Sequence, residues 1–333
     1  MEKMYSEISA TRTSLLPAEV SWEAWAGMYT DLPLWEPVIQ EICRQQDYPV
    51  QRITAGFPGT NAVFLLDDRS VIKIAPPQCR EDQQNELDIS LALTGRLPVP
   101  GILASGVFTD RIDWPWFLME YKPGFAAREV RGGMERTNWL GICREAGRLV
   151  REIHATPLGN LKSIDSSQKG WRSFCADQQQ KAIEALRRTD LLDAAGMMEA
   201  KDFLDAQAFP EEPLVLVNAD LTEDHLLLVE VDGCWRISAL IDLADGRVAP
   251  SAFEWPALWF GLLGRDKEAL IDFLDAYQPG LKPDDAFRRI LLGFTLLHPF
   301  GRNMLSDAHT RMGKPTIRSL SDLIDRMFWP SSS

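Results

Sequence analysis

The stretch Leu214-Val215-Leu216-Val217-Asn218-Ala219-Asp220-Leu221-Thr222-Glu223-Asp224-His225 decides how the rest of the chain is read. Four apolar residues make a buried strand, and an acid follows its end. Leu226 to Val231 is a second apolar run, Asp232-Gly233 is a strong hairpin turn, and Trp235 to Ile241 is a third run that ends at Asp242. The hairpin brings Asp220 and Asp242 to one edge, where residues outside the regular elements tend to carry function. Two acids with His225 beside them make a site for Mg²⁺ and a hydroxyl group.

Reading outward, helical patterns surround this island. Asn138 to His154 is amphipathic, Trp171 to Thr189 and Glu199 to Ala208 are expected to be helices, and helices resume after the hairpin to the C-terminus. Towards the N-terminus, Pro123-Gly124 punctuates the chain and the pattern changes. Val50 to Ala55, Ala62 to Leu66, Ser70 to Ala75, Gly101 to Phe108 and Trp116 to Tyr121 read as strands, with a turn at Asp67-Asp68-Arg69 and one main helix from Cys79 to Leu93. Ahead of them, Ser21 to Gln46 has helical spacing broken by Pro33 and Pro37. The expected organisation is an α+β, bilobal chain. Residues 1–122 form a small antiparallel-sheet lobe with a helical extension over 1–46, and residues 123–333 form a larger, mostly helical lobe.

With 333 residues and 45% hydrophobic content, the chain can bury a sizeable core. A net charge of −13 argues against wrapping a nucleic acid and suits a cationic ligand. The five cysteines show neither C-x-x-C nor zinc-ligand spacing and are expected to be free thiols in a reducing compartment. No apolar h-region and no run of about 20 apolar residues is present, so a cytoplasmic protein without a membrane segment is expected.

Phosphoryl transfer requires a carboxylate for the attacking hydroxyl, a second for the metal, a lysine for the phosphates and a glutamate to steady it. Lys73 is a charge inside the apolar strand Val71-Ile72-Lys73-Ile74, and Glu86 lies on the next helix. Each residue alone has an ordinary structural reading: an edge lysine, a surface glutamate, a turn-forming aspartate. The four in this order, on these element types, are far more specific.

The chain resembles the aminoglycoside phosphotransferases, relatives of the protein kinases, and within them a hygromycin B kinase branch. The resemblance is carried by Leu34-Trp-Glu-Pro37, Gly59-Thr60-Asn61, Val71-Ile-Lys-Ile74, Pro98-Val-Pro100 and Trp114-Pro-Trp-Phe-Leu-Met-Glu120. The helix ending at His154, Ala219-Asp220-Leu221, Ile241-Asp242 and Gly293-Phe-Thr-Leu-Leu-His298 complete it. It implies a protein-kinase-like fold, ATP or GTP with Mg²⁺ as cofactors, and a small-molecule hydroxyl acceptor. It further implies that Asp220 is the catalytic base, Asp242 the metal-binding acid, and Lys73 with Glu86 the phosphate-binding ion pair. Thr60 and Asn61 lie in the nucleotide loop, and the backbone at Glu120 and Tyr121 meets adenine at the interlobe hinge. Glu254 falls where the family has a structural acid, and His154 is read as a packing residue.

Two departures stand out. Asn218-Ala219-Asp220 replaces His-Gly-Asp, and His225 occupies the position of the second metal ligand, normally Asn. Mg²⁺ prefers hard oxygen donors over imidazole. The nucleotide loop Gly56-Phe-Pro-Gly-Thr-Asn61 is poor in glycine, and neither a Walker A sequence nor a dinucleotide fingerprint is present. The insertion from Gly159 to Pro213 and the helices after Trp255 are expected to form the acceptor pocket, with Asp245 and Glu254 as acids for a cationic acceptor. An aminoglycoside such as hygromycin B, an amino sugar or a choline-like alcohol all suit this reading, because fold does not set substrate. A non-catalytic nucleotide sensor on the same fold is the alternative, motivated by His225. A serine hydrolase lacks its Gly-x-Ser-x-Gly elbow.

Overall fold

Alternation of apolar residues builds the first sheet. A computed structural model describes residues 14–57, 59–189, 191–206 and 212–329. The strands are β1 (Ile53–Ala55), β2 (Ala62–Leu66), β3 (Ser70–Ile74), β4 (Ile102–Thr109) and β5 (Asp113–Glu120), all antiparallel in the order β1-β2-β3-β5-β4. In β2, Ala62, Phe64 and Leu66 point into the core, as period-2 spacing demands. β5 begins at Asp113 and carries Pro115 within it, opposite Val107. Sequence alone suggests a start at Trp116, because proline normally demotes a strand.

Two helices precede the sheet, α1 (Trp22–Met28) and α2 (Leu32–Gln45). Pro33 sits in the first turn of α2, where a missing N–H is no loss, and Pro37 is accommodated inside it. Neither proline breaks the helix, which corrects the expectation from sequence; the expected extension over residues 1–13 lies outside the described residues. Trp35, Val38, Ile39 and Ile42 form one fully buried stripe of α2. Trp35 meets Trp114 edge to face at 5.5 Å, and Trp25 stacks on Trp114 at 6.2 Å. Such offset and edge contacts between indoles add to the stabilisation from burial.

Contacts divide the chain into two units: Met1–Gln83 with Ile102–Tyr121, and Gln84–Gly101 with Lys122–Ser333. The first unit is therefore discontinuous, where the sequence suggested one segment over 1–122. Most of helix α3 (Arg80–Leu93) belongs with the second unit, because Ile89 and Leu93 bury into its core.

The second unit is mainly helical. α4 (Ala127–Arg131), α5 (Arg136–His154), α6 (Gln168–Arg187) and α7 (Ala194–Ala206) precede the hairpin island. The expected end of the last helix, at residues 207 and 208, lies outside the described residues. α8 (Trp255–Ala257), α9 (Lys267–Tyr277), α10 (Asp285–Leu297), α11 (Gly301–Arg311) and α12 (Leu320–Met327) follow it. α5 lies against α9, and Gly147 makes this possible: a Cβ there would stand 2.3 Å from the Phe273 carbonyl oxygen. β6 (Phe125–Ala126), β8 (Leu226–Val231) and β9 (Cys234–Leu240) form one small antiparallel sheet. β7 (Leu214–Val217) pairs instead with β10 (Arg247–Pro250), a strand too short and too close to a proline to be read from sequence. All five cysteines are unpaired. No described helix is long and apolar enough to cross a membrane.

Candidate active site

The turn after β7 is bent by its own side chains. Asn218 Oδ1 accepts the Asp220 N–H at 2.8 Å, closing an Asx turn. Ala219, between them, is held at φ +62° and is fully buried, a left-handed geometry unusual for a non-glycine residue. Its carbonyl accepts the Nε2–H of His298 at 2.9 Å. Further along, the His225 N–H reaches the Thr222 carbonyl and the Ile241 N–H reaches the His225 carbonyl at 2.9 Å. The pairing Leu226↔Leu240 then carries the chain back to Asp242, itself left-handed at φ +58°.

This geometry places three groups together. His225 Nδ1 lies 2.8 Å from the Asp220 carbonyl and donates to it, which directs Nε2 to the opposite side. There Nε2 stands 3.6 Å from Asp242 Oδ2, while Nδ1 is also 3.4 Å from Asp220 Oδ2. Asp220 and Asp242 thus flank one imidazole, and the hairpin achieves the juxtaposition that its turn chemistry suggested.

Burial pushes the Asp220 carboxyl up to about 7; His225 opposes this, while Asp245, Asp242 and Glu254 add to it. A carboxyl that resists ionisation until neutral pH is a strong proton acceptor for an aspartate. Asp242 is exposed and Asp245 half-buried. Among the described residues, no three His, Cys, Asp or Glu side chains are arranged to hold a metal unaided. Mg²⁺ does not require that, since it is commonly bound by one or two carboxylates together with substrate phosphates. The carboxylate of Asp242 fits such an ion; the imidazole of His225 is the softer donor.

Glu254 is corrected by the structure. Of its two expected roles, an acid for a cationic acceptor fails because Glu254 has no exposed surface, and the structural acid implied by the resemblance is the one its surroundings fit. Its Oε2 accepts the Asn218 N–H at 2.8 Å and lies 3.4 Å from His154 Nε2. His154 Nδ1 in turn meets the Tyr277 hydroxyl at 2.9 Å. A chain of polar groups thus supports the turn from beneath, and His154 is part of it as well as being packed. Replacing Glu254 with alanine leaves the buried Asn218 N–H unsatisfied and is expected to cost roughly 1–3 kcal/mol. Glu254→Gln, which keeps an acceptor oxygen, should recover most of it. Denaturant midpoints of the two variants check this, and equal losses in both would refute it.

The turn is also held from the side. Arg131 forms an ion pair with Glu223 and lies 4.4 Å over the Trp139 ring, and Arg128 pairs with Asp224. Leu258–Leu262 takes up a π-helical turn against Thr222. Gly261 permits that approach, because a Cβ there would lie 2.7 Å from Thr222 Cγ2. Single π-turns of this kind recur at functional sites.

His298 is visible in the sequence only as part of a motif. It is 4% exposed and stacks on Phe253 at 5.1 Å. Burial lowers its pKa to about 4. The unfolded imidazole titrates near 6.5, so the unfolded chain binds the extra proton between those values. Stability from this group is complete above pH 6.5 and is lost as pH falls towards 4, by up to roughly 3 kcal/mol. The raised Asp220 carboxyl works with the opposite sign over an overlapping range. The His298 contribution is therefore read as the difference between wild type and His298→Gln in denaturation from pH 4 to 7. A difference that stays constant with pH would remove His298 from this role.

The remaining expected residues lie on separate elements. Lys73 is buried in β3, with Nζ 5.8 Å from the Phe117 ring centroid, and belongs to the first unit. Glu86 is buried on α3 beside Gln83 and Ser90, in the part assigned to the second unit. The Thr60 carbonyl accepts the Trp25 indole N–H at 2.8 Å, and Asn61 leads into β2. Pro58 of the same loop lies outside the described residues. Glu120 ends β5 opposite Ser70, and the Tyr121 N–H donates to the Arg69 carbonyl at 3.0 Å.

Comparison with known proteins agrees with this architecture. The sequence profile of the phosphotransferase enzyme family matches residues 50–291. Among solved structures, the GDP complex of wild-type aminoglycoside 2'-phosphotransferase-IIIa superposes with a TM-score of 0.63 at 16% identity, covering 88% of this chain and 95% of that one. The streptomycin–ATP ternary complex of APH(2")-IIa gives 0.58 at 15% identity, over 82% and 89%. A thermostable mutant of APH(4)-Ia bound to ADP and hygromycin B gives 0.57 at 16% identity, over 83% and 99%. The fold is that of these kinases: an antiparallel sheet unit and a helical unit. Identities this low and this even single out no branch among them.

Proposed function

The chain belongs to the phosphotransferase enzyme family, and from that premise we propose that it transfers the terminal phosphoryl group of a nucleoside triphosphate to a hydroxyl of a small molecule. The observation that carries this reading is the Asp220 carboxyl, half-buried, set with Asp242 around one imidazole and raised to about 7. The acceptor hydroxyl gives its proton to Asp220. A bond forms between the acceptor oxygen and the terminal phosphorus, and the bond to the bridging oxygen breaks, releasing the diphosphate.

Asp242 is assigned to the metal, with His225 beside it. Mg²⁺, when bound, neutralises charge on the phosphate oxygens. Phosphate and base binding are assigned to Lys73, steadied by Glu86, and to Thr60, Asn61, Glu120 and Tyr121. Asp245 is assigned to the acceptor, where its charge favours an ammonium group. The solved relatives carry streptomycin and hygromycin B, and an aminoglycoside heads the acceptors proposed for this chain, ahead of amino sugars and choline-like alcohols.

The test is a panel of those three acceptor classes with ATP or GTP and Mg²⁺, read by mass spectrometry. A phosphate-sized mass gain on one class is the expected result. Nucleotide binding by calorimetry with no mass gain on any of them would refute the transfer and favour a nucleotide sensor.

A further inference from the structure

The second unit contains a cavity of about 230 Å³ between α6 and the α10–α11 connection. By the volume of liquid water this is room for roughly eight water molecules, the bulk of a monosaccharide. Its apolar wall includes Leu186 and Leu305, and its polar wall is made of Gln178, Lys181, His298 and Arg302.

The sign of the charge there is informative. The chain carries 48 acidic residues against 35 Lys and Arg, yet the cavity is lined by two cations and no acid. Lys181 has an exposed partner in Asp177, one helical turn away. Among the described residues, the Arg302 side chain reaches only the amide oxygen of its neighbour Asn303. α11 begins at Gly301 on the same wall without a side-chain cap, which adds to the positive potential. His298 also lines the cavity; its Nε2–H is committed to the Ala219 carbonyl, and its Nδ1 accepts the Phe300 N–H at 3.2 Å.

We propose that this cavity binds a small molecule with an oxyanion head, a phosphate ester or a carboxylate on a body of sugar size. The head lies between Lys181 and Arg302 and the body against Leu186 and Leu305. An apolar pocket with few, convergent charged groups is the usual form of a small-molecule site, and arginine suits planar or tetrahedral oxyanions. The cavity lies between the insertion and the helices after Trp255, the region expected from sequence to hold the acceptor, but its two cations repel the ammonium groups that an aminoglycoside would bring, so its occupant is distinct from such an acceptor. It shares His298 with the catalytic turn, so an occupant touches a residue that holds Ala219 in place.

Calorimetry on the full chain, without nucleotide or acceptor, tests this with glucose 6-phosphate and glucuronate as probes. At least one probe is expected to bind with a millimolar or lower Kd, and the one that binds identifies the head. Lys181→Glu with Arg302→Glu, both exposed helix positions, is expected to weaken binding at least tenfold. Lys73→Ala is expected to leave it unchanged, and the His298 ring resonance is expected to move on saturation in wild type. No binding of either probe at millimolar concentration, equal binding to the charge-reversed protein, or a loss in Lys73→Ala would each overturn the proposal. Phosphoryl transfer plays no part in these measurements, so a failed acceptor panel leaves the inference standing.

Discussion

Asp220→Asn is expected to lower turnover by roughly 10²–10⁴-fold, the usual contribution of a positioned acid–base group, while making the ligand-free protein more stable. The first effect follows from losing the proton acceptor. The second follows from the raised carboxyl. Its folded value of about 7 lies above the 3.8 of an ordinary aspartate, so at neutral pH and above the folded state bears an ionised group that the unfolded state tolerates better. A tenfold change in acid strength corresponds to about 1.4 kcal/mol, so the ionised form costs roughly 2–4 kcal/mol. Asparagine removes that cost and keeps the shape. The gain should be full above pH 7 and vanish near pH 4, where both proteins are neutral at this position. Paired turnover and denaturation measurements at pH 4 and pH 8 check both halves. Near wild-type turnover would take Asp220 out of the chemistry, and an unchanged or lowered stability at pH 8 would contradict the burial argument.

Asp242→Ala is expected to abolish Mg²⁺-dependent nucleotide binding and, with it, activity. The exposed carboxylate of Asp242 is the hard, anionic donor at this edge, and the imidazole beside it is a poor substitute for Mg²⁺. Titration of ATP into the variant with and without Mg²⁺ should show no metal-dependent gain in affinity. In the His225→Asn protein, the ratio of Mn²⁺- to Mg²⁺-supported activity should fall below that of wild type. A metal-dependent gain that survives in Asp242→Ala would place the ion elsewhere.

Much of this site is legible in the amino-acid sequence alone. Strand-length apolar runs around Asp232-Gly233 force a hairpin, and a hairpin of that length returns Ile241 to His225. The nearness of Asp220 and Asp242 is therefore a local consequence of spacing and turn chemistry. The partner of Glu254 is not legible there, although the resemblance marks Glu254 as a structural acid. It lies 36 positions from Asn218, and no local pattern shows that its carboxylate is enclosed and bonded to that one N–H. The same holds for His298, 79 positions from Ala219, and for Arg131, 92 from Glu223.

The resemblance to the family implies which acid is the base and which holds the metal; the sequence by itself determined the class of the fold, the order of most of its elements and the pair of acids at one edge. These depend on periodicity, on turn residues and on residue types within a few positions of one another. Tertiary structure alone decided three further matters: that α3 packs largely with the second unit, that β10 pairs with β7, and that Glu254 bonds the Asn218 N–H. The physical reason is one of range. Solvent exposure, hydrogen-bond partnership and the desolvation that raises Asp220 are properties of everything packed around a group, and residues far apart in the chain supply them.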